Sequence, residues 1–161
     1  MAGFFERRVQ QPLTGLLRVG ASPRRLAWSI ALGLVIGVNP LLGSTTLLAL
    51  GLASVLRLNL VASQLGNHVV YPLELALFPV FVKLGSFVFG TPGLPLSPRQ
   101  LAAAVKTAPW QTTRTLWTWE WHALVVWGAL ACVIAPLLVL AIRPGLEHML
   151  NSLHNEPIVE K

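Results

Sequence analysis

The sequence predicts an all-α integral membrane protein with two broken or re-entrant helical hairpins, a C-terminal transmembrane helix and short interfacial helices. Three observations lead to this fold class. Only 11% of the 161 residues are charged, whereas soluble domains carry about 25%. The uncharged residues fall into long runs, and two of these runs have glycine, asparagine and proline near their centres. Such an interruption predicts a helix that breaks within the membrane.

The composition also excludes other classes of protein. With 54% hydrophobic residues and a mean hydropathy of +0.65, the chain has too few charges to cover a soluble domain. This argues against a soluble enzyme, a coiled coil and a disordered chain. The one cysteine, Cys132, excludes an internal disulfide, and its place in an apolar run predicts a small core residue.

Residues 1–25 contain five arginines and one glutamate, a net charge of +4, with phenylalanine and leucine between them. This pattern predicts an amphipathic segment on the cytoplasmic membrane surface. It lacks the long apolar stretch and cleavage site of a secretory signal, so we expect it to be retained.

Residues 26–90 are predicted to form a membrane core of two broken helices. The first run, Leu26 to Leu56, has 31 residues without a charge, and as one helix it would be ~46 Å long against a ~30 Å hydrocarbon core. Gly37, Pro40 and Gly43 predict a break between half-helices at 24–38 and 44–56, with Ser44 as the N-cap of the second.

The second run repeats this design, with Gly66 and Pro72 as the predicted breaks. Leu58 to Leu73 is uncharged, and Glu74 and Lys83 are the charges that interrupt the run after it. Paired breaks in corresponding positions are typical of repeat-built transporters, whose sites lie at the breaks. Whether the broken segments span the membrane or re-enter it stays open at this point.

The remaining chain divides into three parts. Residues 91–120 are predicted to be a connector with a short interfacial helix that begins at Ser97 and Pro98. Residues 121–142, 22 in number and uncharged, predict the transmembrane helix, with a tryptophan belt at its start. Residues 143–161 form a polar tail. Positive charge in the N-terminal segment and the connector places both in the cytoplasm and the tail outside.

The sequence resembles the bacterial membrane family known as domain of unknown function 2062 over roughly residues 20–90. The shared features are Ser22-Pro23-Arg24-Arg25, the spaced series from Gly33 through Pro40 and Gly43 to Thr46, Arg57-Leu58-Asn59, Gly66 and Pro72-Leu73. The resemblance implies a multi-pass protein of the bacterial inner membrane, and the fusion of some relatives to glycosyltransferases implies envelope chemistry. It implies no catalytic residues. Tyr71 and Glu74 depart from the usual pattern of the second loop.

Glu74 is the first candidate for function because a carboxylate at the centre of a membrane helix costs ~2.5–3.5 kcal/mol. Lys83, Arg57 and His68 are the candidates to neutralise it. The alternatives are a structural ion pair or a position near the membrane interface.

The second candidate is an anion site. Arg57 and Asn59 lie between the broken segments, where a guanidinium suits phosphate, unless Arg57 simply extends to the interface. Ser44, Thr45 and Thr46 precede or open a half-helix, whose free N–H groups attract anions, unless they only cap it. The other candidate binding residues, all at the breaks, are Asn39, Asn67, His68 and Tyr71. His68 and Tyr71 could relay protons with Glu74, unless His68 is only hydrogen-bonded. A packing face is predicted at Gly33 and Gly37.

Motifs of catalysis, metal binding and nucleic-acid binding are absent from the sequence, so we expect no enzyme activity, cofactor or metal. The leading hypothesis is transport or flipping of a lipid-linked or anionic amphiphile in envelope biogenesis, with Glu74 as the coupling or gating acid. The alternative is a non-transporting scaffold or anchor for an envelope-synthesis enzyme. Expected partners are membrane lipids, a lipid-linked substrate, and either a second copy of the chain or such an enzyme.

Overall fold

The computed structural model describes residues 22–41, 43–92 and 97–155. These residues form helices and contain no strand, which confirms the predicted all-helical class. The helices are α1 (Pro23–Ile36), α2 (Thr45–Val55), α3 (Leu60–Val69), α4 (Tyr71–Phe89), α5 (Pro98–Thr107) and α6 (Pro109–Asn155). Of the predicted N-terminal segment, residues 1–21 lie outside the described residues, and Pro23 to Arg25 belong to α1.

The first break lies between α1 and α2, near its predicted position. Asn39 holds the turn, because its Oδ1 accepts the N–H of Leu41 at 2.6 Å and Pro40 disfavours a helical conformation before it. Gly43 has a φ of 82°, which glycine adopts without strain. Ser44 is the N-cap residue of α2, as predicted, but its side chain makes no capping hydrogen bond. Its hydroxyl donates instead to the Leu41 carbonyl at 2.8 Å.

The second break is much narrower than predicted, with Val70 alone between α3 and α4. Pro72 lies in the first turn of α4, where a missing N–H is tolerated. Gly66 was expected to break the chain, but it lies inside α3 together with Asn67 and His68. Its lack of a side chain serves helix packing instead.

Helices α1 and α3 run parallel and in close contact. Ser29 Oγ accepts the Asn59 N–H at 2.8 Å, Gly33 lies against the Ser63 carbonyl, and Gly37 lies against Asn67, so the contacts advance together along both helices. A Cβ on Gly66 would lie 2.6 Å from the carbonyl oxygen of Ile30. These contacts confirm the packing face predicted at Gly33 and Gly37.

Helix α6 has 47 residues, about 70 Å at 1.5 Å per residue, so it exceeds the predicted 121–142 at both ends. It takes in residues of the expected connector and tail and continues through Pro136 and Pro144. Leu146, beyond Pro144, is buried in the same cluster as Leu26 of α1, and this packing stabilises the helix past the proline.

Helix α6 also organises the other helices. It runs antiparallel to α1, since Trp127 Nε1 donates to the Val35 carbonyl at 3.1 Å and Leu146 packs at the start of α1. Ala123 packs with Phe81 and Val82 of α4. Cys132 is exposed on α6, so the expectation that it is a core residue is wrong.

Two helices, α4 and α6, are long and apolar enough to cross a membrane by length and composition. Only 28% and 6% of their apolar windows are buried within the chain, whereas the core helix of a soluble protein would be mostly buried. Helices α2 and α3 have 11 and 10 residues, about 16 and 15 Å, and cannot span a ~30 Å core alone. The two candidate spans favour a membrane protein, and the re-entrant arrangement stays a prediction.

The glycine contact can be tested with Gly33→Ala. The added Cβ would overlap the Ser63 carbonyl oxygen and lie 2.9 Å from the Asn67 nitrogen, so we expect the free energy of unfolding to fall by about 1–3 kcal/mol. Thermal unfolding in mild detergent, followed by circular dichroism, measures the effect. Gly51→Ala is the matched control, since nothing lies within 4 Å of its added Cβ and alanine favours a helix by about 1 kcal/mol. Equal melting of both variants would contradict the close contact.

Candidate polar site at the first helix break

Buried polar side chains surround the first break. Asn39 is 0% exposed, and Asn67 and Glu74 are each 3% exposed. Each of these three has a buried side-chain atom with no hydrogen-bond partner among the described residues: Asn39 Nδ2, Asn67 Oδ1 and Glu74 Oε1. Ser63 Oγ, Gln64 Oε1 and Glu120 Oε1 are also buried without a partner, as is Ser86 Oγ, which lies about 18 Å further along α4 than Glu74. Since such an atom costs about 1–3 kcal/mol, this concentration of unpaired groups marks a candidate binding site.

The start of α2 and the end of α3 meet at this break. Asn67 Nδ2 donates to Thr46 Oγ1 at 3.5 Å, and Gln64 Nε2 donates to the Thr46 carbonyl at 3.4 Å. An added Cβ on Gly37 would lie 3.0 Å from Asn67 Oδ1. The structure therefore brings together Asn67 and Thr46, two of the predicted site residues. Thr45, beside them, is buried, whereas Thr46 itself is largely exposed.

Glu74 lies in the first turn of α4, not at the centre of a helix as the sequence suggested. The positive end of the α4 dipole offsets part of the cost of burying a carboxylate there. Lys83 is exposed and, nine residues further along α4, lies about 13.5 Å away along the axis. The ion pair present among the described residues joins Arg143 to Glu147. Glu74 therefore forms no ion pair with Lys83, Arg57 or His68, its predicted partners.

A cavity of about 380 Å³ lies beside the break and between α4 and α6. Phe78, one turn after Glu74 on the same face of α4, forms part of its wall. The full lining is Pro40, Leu41, Phe78, Thr113, Leu116, Trp117 and Glu120. Glu120 was not predicted as a site residue, because it was assigned to the connector. Its position at the border of the uncharged run was the signal that could have identified it.

Arg57 and Asn59 lie away from this cluster, at the other end of α2. Thr46 lies in the first turn of α2, and Arg57 lies two residues beyond its last residue, Val55. The helix axis between Thr46 and Val55 is about 14 Å long, so Thr46 and Arg57 cannot receive one small anion together. Asn59 has a structural role, because its Oδ1 caps α3 by accepting the Ala62 N–H at 2.9 Å. Arg57 is exposed and has a φ of 54°, a left-handed conformation that glycine adopts with less strain.

His68 and Tyr71 face outward. His68 Nδ1 lies 2.8 Å from the Gln64 carbonyl of its own helix, and Tyr71 is 60% exposed. The geometry gives no support to a proton relay from these side chains to the buried Glu74. The described residues hold no group of three or more His, Cys, Asp or Glu side chains placed to bind a metal ion.

These features define an all-helical protein with two candidate membrane spans and a buried polar cluster at a helix break. The family model described as "Uncharacterized protein conserved in bacteria (DUF2062)" matches residues 6–151. The chain belongs to this family, as the sequence motifs predicted. No curated protein and no solved structure matches the chain.

The capping role of Asn59 can be tested by Asn59→Ala. Loss of the bond to the Ala62 N–H is expected to lower the free energy of unfolding by about 1 kcal/mol. Asn59→Asp is the matched control, because aspartate caps helices about as well as asparagine and should melt close to wild type. Thermal unfolding in detergent distinguishes the variants. An alanine variant as stable as wild type would refute the capping role.

Proposed function

We propose that the chain is a multi-pass protein of the bacterial inner membrane, with a cytoplasmic N-terminus, that takes part in moving a lipid-linked amphiphile during envelope biogenesis. Large apolar side chains on the outer surface support the membrane setting. Among the described residues, 26 of them are exposed, including Leu47, Val55, Phe87 and Leu140. Soluble proteins rarely expose contiguous apolar surface on this scale, whereas lipid tails would cover it.

One observation carries the transport role: buried polar atoms without partners lie behind this apolar surface, at the first break. Asn39 Nδ2, Ser63 Oγ, Asn67 Oδ1 and Glu74 Oε1 belong to the most deeply buried residues among them. An amphiphile has an apolar chain and a polar head. The apolar outer surface suits the chain, and the buried polar cluster suits the head. A head group that reached the cluster would satisfy these atoms and remove the cost of leaving them unpaired.

The chemistry of the cluster bears on the kind of head group. It offers an amide donor on Asn39 and carboxylate oxygens on Glu74 and Glu120. Arg57, the cation predicted to receive an anion, lies at the other end of α2. The cluster therefore favours a head group rich in hydrogen-bond donors over one recognised by its negative charge alone.

Glu74→Gln tests the proposed coupling or gating role. The carboxamide has nearly the same shape but carries no charge, so we expect translocation of a fluorescent amphiphile in reconstituted vesicles to fall at least about tenfold. The charge is removed without creating a cavity, so the variant should still fold.

Glu147→Gln is the matched control for this assay, because Glu147 is partly exposed and pairs with Arg143 away from the cluster. It should translocate like wild type. Unchanged translocation in Glu74→Gln would remove Glu74 from the mechanism, and translocation no faster than in empty vesicles for the wild type would refute the transport role.

The second candidate function is a membrane scaffold or anchor for an envelope-synthesis enzyme. The short helix α2 favours it, because α2 cannot span the membrane yet exposes Leu47 at 75% and Val55 at 78%. A partner chain would cover this face. Mass measurement of the detergent-solubilised protein separates the two: a monomer that co-purifies with such an enzyme supports the scaffold, and a homo-oligomer supports transport.

A further inference from the structure

The cavity between the first break and α6 combines an apolar wall with a single carboxylate. Pro40, Leu41 and Leu116 supply aliphatic surface, Phe78 and Trp117 supply aromatic rings, and Glu120 supplies the carboxylate. The cavity is a shallow groove that is open to the outside, and Trp117 in its wall is 65% exposed. Its volume of about 380 Å³ is enough to hold a small polar head group. A mostly apolar pocket with one charged group selects ligands by the partner that this charge needs.

Glu120 is partly exposed, but one of its carboxylate oxygens, Oε1, is buried from solvent and lacks a donor among the described residues. Glu120 also forms no ion pair among them, where the pair present joins Arg143 to Glu147. Arg114, six residues earlier on α6, is exposed. A buried carboxylate oxygen without a partner is costly, so a cationic or strongly donating ligand group would stabilise it.

The aromatic rings favour a cation over a neutral donor. Trp117 and Phe78 line the same cavity as Glu120, and indole and phenyl faces attract ammonium groups by about 0.5–2 kcal/mol. A carboxylate beside aromatic faces is therefore complementary to an ammonium group. It is unfavourable for a phosphate or carboxylate unless a cation accompanies it.

The place of Glu120 along α6 matches the depth of a lipid head group. Glu120 directly precedes the 22 uncharged residues 121–142, and four tryptophans lie at the same end of α6: Trp110, Trp117, Trp119 and Trp121. Tryptophan is enriched where the hydrocarbon meets the head groups. In the proposed membrane orientation, the cavity opens at the level where an amine of a lipid head group is found.

We propose that this cavity binds the primary ammonium group of an amine-bearing lipid, with Glu120 accepting its hydrogen bonds and Trp117 and Phe78 flanking the charge. Glu74, a second buried carboxylate at 3% exposure, lies one helical turn before Phe78 on α4 and does not line the cavity. This inference names the class of head group that the proposed function leaves unspecified. It rests on the proposed function for two points only: that the chain lies in a membrane, and that the bound lipid is then moved.

Native mass spectrometry of the full chain tests lipid selectivity directly. The protein in mild detergent is mixed with equal amounts of phosphatidylethanolamine and phosphatidylglycerol that have identical acyl chains. We expect the wild type to retain phosphatidylethanolamine at least about fivefold over phosphatidylglycerol. Glu120→Gln should bring the ratio to about one, and Trp117→Leu should lower it by a smaller factor. Glu147→Gln, the matched control at a partly exposed glutamate, should keep the wild-type ratio.

A change in the lipid provides a test that needs no variant to fold. Phosphatidylethanolamine acetylated on its nitrogen keeps the phosphate and acyl chains but has no ammonium, so wild type should retain it no better than phosphatidylglycerol. Equal retention of all three lipids by wild type, or a preference that survives Glu120→Gln, would overturn the proposal. Retention of the preference with no translocation in vesicles would leave the ammonium site standing and refute only the transport role.

Discussion

The direct contact between α1 and α3 at Gly33 and Gly66 is the constraint on which the rest of the structure depends. Both positions lie against backbone of the other helix, closer than any side chain allows. Where lipid surrounds the helices, small residues of this kind drive association, because there is no water to expel between apolar surfaces. Since α1 and α3 run parallel, the chain between them must return along α2. A turn after α1 is therefore required by the packing as well as favoured by Pro40, and Asn39 and Asn67 are brought to the same end.

The same contact explains why several short polar side chains lie in the interior of this protein while many large apolar side chains lie on its surface. Ser29, Ser63 and Asn67 are all buried along the α1–α3 contact, and their side chains are short enough to fit there. Ser29 Oγ has both a hydrogen-bond acceptor and a donor, because it donates to the Arg25 carbonyl and accepts the Asn59 N–H. The larger apolar side chains of α2 and α4 are left on the outside. Helix α6 then fixes the end of α1, because Trp127 satisfies a carbonyl near the break.

The sequence predicted the helical class and the first break because both follow from local chemistry: missing charges, and a proline after an asparagine. It failed where one residue type serves two purposes. Glycine can interrupt a helix or admit a neighbouring helix, and for Gly66 the distinction depends on the Ile30 carbonyl, 36 positions earlier in the sequence. Likewise, the helix predicted over residues 121–142 continues through Pro144, because Leu146 beyond it packs on α1. Glu120 lies at the edge of an uncharged run, a pattern that indicates a membrane boundary and not a binding residue.

The unpaired polar atoms lower the stability of the folded chain, and a ligand that pairs with them would restore it. The close packing of α1 against α3 offsets the cost of several buried polar groups without partners. Such unpaired groups are typical of functional sites, where their cost is offset by the rest of the fold. A molecule that binds the folded protein and satisfies those groups stabilises it by mass action, in proportion to the logarithm of its concentration over its dissociation constant. The carboxylates of Glu74 and Glu120 and the amide of Asn39 lie on three different elements, α4, α6 and the first break. A ligand that bridges them would therefore favour one relative position of these elements, and its release would free them to move.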